Sequence, residues 1–215
     1  MNSIKRIGMV FCICAALSAG AHAAPTLDDF VQAVQRSDED TVQNLLNRGM
    51  DPNIISSDGD PVLLIAAREG STPIVEALLK LGAKIYAKNP YGDTALHIAA
   101  LKGHNGVVKA LLARGASQDP STRGWTPLMY AAFNGHVNVL ESLIAAGGAV
   151  NAKRDNGITP LMLAAQGGHT KAVKLLLERG AEPGAADSEG LTAVQWALQK
   201  KHTDAAEAIQ RAGGR

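Results

Sequence analysis

The chain has 215 residues, with 21 Lys+Arg against 20 Asp+Glu, six histidines and two cysteines, a balance that excludes the basic excess expected of a nucleic-acid-binding domain. Hydrophobic residues reach 46% while aromatics are only 4%, which excludes a disordered chain and requires a core built from Ala, Leu, Val and Ile. The 22 glycines and nine prolines punctuate the chain so densely that its elements should be short and regular.

Residues 1–23 read as a secretory signal. Lys5 and Arg6 supply the positive start, and the uncharged stretch 7–21 carries Val10, Phe11, Ile13 and Leu17. That stretch is shorter than the roughly 20 residues a membrane-spanning helix needs. Ala21-His22-Ala23 offers small residues at the positions a signal peptidase reads, so cleavage is expected between Ala23 and Ala24. Cys12 and Cys14 lie in the removed part, which leaves no thiol in 24–215 and suits an oxidising compartment such as a periplasm. Loss of Lys5 and Arg6 leaves 19 basic against 20 acidic residues, a net charge of −1. A periplasmic or secreted domain of nearly balanced charge without stable membrane insertion is the expectation, and it is expected to be monomeric.

From there the chain keeps a ruler. Gly59, Gly92, Gly124, Gly157 and Gly190 are spaced by 33, 32, 33 and 33 residues. A second series, Gly49, Gly82, Gly115, Gly147, Gly180 and Gly213, runs at 33, 33, 32, 33 and 33, with the same one-residue deletion. Ahead of Gly59 come helices only, with Phe30, Val31, Val34, Val42, Leu45 and Leu46 directed inward and Ser37 in a glycine position, which reads as an N-terminal cap. Thr126-Pro127 and Thr159-Pro160 are helix starts: the hydroxyl accepts from free first-turn amides, and proline at the first helical position forfeits no hydrogen bond. Ala99-Ala100, Ala131-Ala132 and Ala164-Ala165 permit close approach of neighbouring helices, and Gly103, Gly135 and Gly168 end them. A second helix follows in each unit, with Val75, Leu78 and Leu79, then Val108, Leu111 and Leu112, then Val173, Leu176 and Leu177 at the spacing of a half-buried stripe. At the far end Lys200-Lys201-His202 replaces the glycine turn and Ala205, Ala206, Ala208, Ile209 and Gln210 thin the stripe, a C-terminal cap.

The runs Gly92-Asp93-Thr94-Ala95-Leu96-His97, Gly124-Trp125-Thr126-Pro127-Leu128-Met129 and Gly157-Ile158-Thr159-Pro160-Leu161-Met162 make the sequence closely resemble the ankyrin-repeat family over 27–213. The resemblance implies an all-α solenoid of helix-turn-helix units with projecting β-hairpin loops. It has six repeats including both caps, at about 27–58, 59–91, 92–123, 124–156, 157–189 and 190–215, in one domain spanning 24–215. It also implies a concave groove, lined by hairpin tips and first helices, that binds another protein.

Little in the sequence points to catalysis. His104, His136, His169 and His202 recur after the first-helix turn, but helices stack roughly 8–10 Å apart whereas zinc ligands sit about 2 Å from the metal. Each ring is therefore expected to bond a neighbouring loop, and His97 to tie hairpin to helix. Asp58, Asp60 and Asp93 are expected to bond their own turns. No cofactor or metal is expected. The binding surface is expected at Tyr91, Asp93, Leu101, Lys102, Arg123, Trp125, Phe133, Asn134, Asn156 and Ile158, with Tyr91, Arg123, Trp125 and Phe133 at its centre because aromatic and Arg side chains dominate binding energy. Tyr130 and Trp196 are expected in the core. The resulting function is an exported, non-catalytic interaction module for an exported or periplasmic protein. The alternative is a small-molecule or metal-assisted enzyme using the histidines and hairpin carboxylates.

Overall fold

A computed structural model describes residues 26–119, 121 and 123–214; the expected signal segment and its cleavage site at Ala23 and Ala24 lie outside them. The described residues form twelve helices in six helix-turn-helix pairs. These are α1 (Leu27–Gln35) with α2 (Glu39–Asn47), α3 (Val62–Glu69) with α4 (Thr72–Lys80), and α5 (Ala95–Lys102) with α6 (Asn105–Ala113). They continue as α7 (Pro127–Phe133) with α8 (Val137–Ala145), α9 (Pro160–Gln166) with α10 (Thr170–Glu178), and α11 (Ala193–Gln199) with α12 (Thr203–Arg211). No helix exceeds nine residues, a length that is not stable alone in water, so the stability resides in stacking.

Local chemistry sets the starts of the first helices α5, α7, α9 and α11. The Thr126 and Thr159 hydroxyls accept from Met129 N at 3.2 Å and Met162 N at 3.3 Å, as their spacing to Pro127 and Pro160 required. The α5 start uses a capping box in which His97 Nδ1 accepts from Thr94 N at 3.2 Å. At α11 Gln195 Oε1 does the same for Thr192 N at 2.6 Å. The turns close through left-handed glycines at both rulers. Ser37 and Lys201 adopt that conformation without being glycine, at φ 55° and 62°, and they sit in the two capping pairs.

Odd-numbered helices stack in one row and even-numbered helices in a second. The alanine pairs of α5, α7 and α9 are fully buried between neighbours, and one continuous apolar core runs from Phe30 to Ile209. Phe30 is the one aromatic ring in that buried set. Gln210, grouped by sequence with the terminal stripe, faces solvent, because α12 presents only Ala205, Ala206, Ala208 and Ile209 to α10 and α11.

Polar clips hold successive pairs together. Nε2 of His104 donates to the Arg68 carbonyl (2.9 Å), that of His136 to Leu101 (3.1 Å) and that of His169 to Phe133 (3.0 Å). Asn53 donates to the Gly82 carbonyl and accepts from Lys84 N, and Asn151 repeats the pattern with Gly180 and Glu182. Where the one-residue deletion falls, Gln118 reaches the Leu143 and Ala146 carbonyls instead.

The projecting loops differ from the expected β-hairpins. Among the described residues strand pairing is reduced to two isolated bridges, Ile55 with Pro61 and Ala186 with Thr192, because each loop spends its length on a tight turn. The turn is the same throughout: Asn89 N donates to Asp93 O and Gly92 N to Asn89 O at 3.0 and 2.9 Å, and Ser121 with Trp125 and Gly124 repeats this at 2.8 Å. The deletion thus leaves the tip carrying Arg123 and Trp125 in the common geometry. What it removes lies upstream, where other loops have a turn such as Ala87 N to Lys84 O.

Candidate functional site

The hydrogen bonds of the tip decide which residues face out. The residue after each tip glycine is bonded back across the turn, as in Arg154 N to Ile158 O (3.1 Å) and Asp187 N to Leu191 O (3.0 Å), so it is already re-entering the array. The residue before the glycine stands at the tip itself. Asp58, Tyr91, Arg123, Asn156 and Glu189 occupy that position and all are exposed.

Asp93 and Ile158 are therefore corrected from exposed tip residues to inward-facing ones, 7% and 8% exposed. Asp93 accepts from the Tyr130 hydroxyl at 3.0 Å, a bond between consecutive repeats. Nor do Asp60 and Asp93 serve their own turns: Asp60 pairs with Arg68. The turn amides are instead served from three residues before the glycine, by Asn89 Oδ1 to Tyr91 N and Asp93 N and by Asp187 Oδ1 to Glu189 N and Leu191 N.

The tips and the first helices of four repeats enclose a cavity of about 460 Å³, within the range of ordinary ligand pockets. Arg123, Trp125, Arg154 and Ile158 reach it from the tips, and Leu101, Tyr130, Phe133, Leu163, Gln166 and Trp196 from α5, α7, α9 and α11. Its wall is an aromatic cluster. Trp125 stacks on Tyr130 with centroids 4.9 Å apart at 28°, and Phe133 stands edge-on to Trp125 at 5.7 Å and 90°. Trp125 is half-buried and Phe133 is 41% exposed, so the ring faces that meet one another leave apolar surface open to the cavity.

Two guanidiniums border this wall. Arg123 lies over the Tyr91 ring at 4.3 Å and Arg154 over Trp125 at 5.4 Å, arrangements that orient a cation without neutralising it. Arg154 also donates to the Arg123 carbonyl at 3.3 Å. A second cavity of about 320 Å³ adjoins the first through the shared Ile158, Gln166 and Trp196, and carries Asn156, Asp187 and Glu189.

Of the residues singled out from sequence, Leu101, Arg123, Trp125, Phe133 and Ile158 converge on the first cavity and Asn156 on the second. Tyr91 joins through Arg123. Lys102 is exposed outside both linings, and Asn134 donates to the Tyr130 carbonyl of its own helix at 3.0 Å. Tyr130 and Trp196, assigned to the core, are half-buried and line the cavity instead. Arg154 was missed, although a signal exists. The position three before the tip glycine holds Ser56, Asn89, Ser121, Arg154 and Asp187, and only Arg154 is too long to serve its own turn.

Burial shifts two groups behind the wall. Tyr130 is pushed up to about 12 by burial and by the neighbouring Asp93 charge. His97 is buried and its imidazole is held below the ordinary histidine value by desolvation, opposed by the Asp93 charge and the Trp125 and Asp119 backbones. Unfolding frees His97 to bind a proton more readily, so its contribution to stability is complete above about pH 6.5 and is lost as pH falls below that value. His97→Gln, which keeps the capping box as Gln195 does, is expected to flatten the change in urea midpoint between about pH 7 and pH 5. An unchanged pH slope would assign the acid sensitivity to other groups.

Among the described residues no group of three or more His, Cys, Asp or Glu side chains could hold a metal ion, and no helix is long and apolar enough to cross a membrane. A stack of short helix pairs carrying an apolar, cation-bordered groove defines a helical-repeat interaction scaffold. A family profile for ankyrin repeats (three copies) matches residues 30–122, 63–154 and 128–213, and the chain belongs to the ankyrin-repeat family. No curated protein matches it closely enough in sequence to report.

Proposed function

We propose that the chain is exported, loses residues 1–23 and acts in the periplasm or outside the cell as a non-catalytic module that holds, stabilises or inhibits another protein. Ankyrin repeats generally mediate protein–protein interaction. The observation that carries the reading to this surface is the open aromatic wall of Trp125, Tyr130 and Phe133 between two guanidiniums. Aromatic and Arg side chains in such settings contribute most to binding energy. The histidines His104, His136 and His169, which an enzymatic reading would use, are each committed to a backbone carbonyl of the preceding repeat.

The test is capture of partners from periplasmic extract by the chain starting at Ala24, beside Trp125→Ala/Phe133→Ala of unchanged thermal unfolding. One protein captured by the first and lost with the second is expected, an affinity loss of at least about 30-fold. Equal capture by both would move the contact surface elsewhere, and no capture would overturn the reading. Mass spectrometry of the exported protein should find Ala24 at its N-terminus; retention of 1–23 would overturn the export step.

A further inference from the structure

The two adjoining cavities have opposite character at their far ends. At one end Arg123 and Arg154 stand over aromatic rings. The ion pairs among the described residues are Arg68 with Asp60 and Arg211 with Glu207, so neither groove guanidinium is balanced by a carboxylate there. Arg154 Nε is moreover buried without a hydrogen-bond partner among the described residues, so the guanidinium is not fully satisfied within the chain. At the other end, where two carboxylates and Lys200 line the second cavity and leave it acidic on balance, Asp187 is already engaged by Trp196 Nε1 at 2.8 Å and by its turn amides, whereas Glu189 occupies an exposed tip. Between the two ends lies apolar surface shared by both cavities, Ile158 and Trp196.

We propose, building on the partner-binding reading above, that this trough takes an extended segment of a partner protein: a large apolar side chain between an acidic residue and a basic one. The apolar side chain enters against the Ile158 and Trp196 surface that both cavities share, the carboxylate meets Arg123 and Arg154, and the cation meets Glu189. Arg154 and Glu189 lie on tips one repeat apart, roughly 10 Å given the usual spacing of stacked helices, and an extended chain covers that in about three residues. The acidic and basic residues of the occupant are therefore about three positions apart. A compact molecule of the size of one cavity would leave one charged end unanswered, which favours an extended peptide. The guanidiniums are held over rings before anything binds, so forming charge-assisted bonds to a carboxylate costs little further ordering.

The test is selection of random linear peptides displayed on phage by the chain from Ala24, followed by anisotropy of the best peptide in fluorescein-labelled form. Enrichment of the acidic–apolar–basic pattern is expected. Arg123→Glu/Arg154→Glu, with thermal unfolding unchanged, should weaken that peptide roughly 10- to 100-fold, and a fresh selection on this variant should replace the acidic position by a basic one. Glu189→Lys, at an exposed tip, is the second variant and should weaken binding several-fold at the opposite end. Failure to enrich any linear peptide, enrichment without the acidic position, or affinity unmoved by charge reversal would each overturn the proposal. If periplasmic capture still succeeds in that case, the partner-binding reading stands and only the linear segment falls. Self-association of the chain that disappears in Arg123→Glu/Arg154→Glu would assign the trough to a second copy and overturn the peptide.

Discussion

Gly135→Ala is expected to lower stability by about 3 kcal/mol, and Gly115→Ala by only about 1 kcal/mol, although both glycines end a helix with nearly the same backbone. Their φ angles are 69° and 79°, so the left-handed penalty on an added Cβ, about 1–2 kcal/mol, is common to both. The surroundings separate them. A Cβ on Gly135 would lie 2.5 Å from the His169 ring, whereas one on Gly115 would meet nothing within 4 Å. That ring cannot simply swing aside, because its Nε2 donates to the Phe133 carbonyl at 3.0 Å, and moving it forfeits the bond between repeats.

The relation recurs along the array. Gly70, Gly103 and Gly168 face His104, His136 and His202 at 2.5–2.7 Å, while Gly49, Gly82, Gly147, Gly180 and Gly213 face open space. The glycines of the second ruler serve conformation alone, whereas Gly70, Gly103, Gly135 and Gly168, which close the first helices, make room for the histidine of the following repeat as well. Urea unfolding of Gly135→Ala in wild-type and His169→Ala backgrounds measures the coupling. In the second background the glycine substitution should cost no more than Gly115→Ala. An equal cost in both backgrounds would show that the histidine imposes no constraint.

Leu140→Ala is expected to destabilise the protein by about 2–5 kcal/mol and to break the cooperativity of the array. Leu140 in α8 is fully buried in a pair that touches α6 on one side and α10 on the other. Each pair of a solenoid is stable only while its neighbours cover it, so a defect in the middle uncouples both flanks. Ile209 in α12 is equally buried, and Ile209→Ala removes a comparable apolar volume from a pair with only one neighbour. Hydrogen exchange should then rise in Leu140→Ala on both sides of α8, with a broadened urea transition. In Ile209→Ala the rise should be confined to α11 and α12. Identical exchange patterns in the two variants would mean that the chain unfolds as a single unit and that the repeat-by-repeat description of its stability fails.

Much of this architecture is legible in the chain as written. The two glycine rulers, the Thr-Pro starts and the alanine pairs each depend on contacts within a few residues or on a fixed repeat. Such features survive in a sequence because backbone conformation and first-turn hydrogen bonds are local. The histidines were legible only in part: His104, His136 and His169 do reach back to the preceding repeat, but they bond last-turn carbonyls of its first helix, Arg68, Leu101 and Phe133, rather than a loop.

The groove was only partly legible. Arg123, Trp125 and Phe133, singled out as rare residues at exposed repeat positions, line the cavity; Ile158 lines it too, though buried rather than at an exposed tip, and Asp93 turns inward away from it. A period of 33 residues gives the position of a loop and not the direction of each side chain within it. That direction follows from the bond across the tip, Asn89 N to Asp93 O and its equivalents, which returns the residue after the glycine to the array. Tyr130 and Trp196 were assigned to the core for their helix positions, yet they line the cavity, because the opening beside them depends on how neighbouring loops and helices stack.

The sequence alone therefore determined the family, the six-fold helical repetition, the capping ends and the expectation of export, all matters of local chemistry and period. Tertiary structure decided that Arg154 and Trp125 meet across repeats at 5.4 Å, that Tyr130 and Asp93 bond across repeats, and that two cavities share one wall. These pairs lie some thirty residues apart in the chain, and only the stacking of one helix pair on the next brings them into contact.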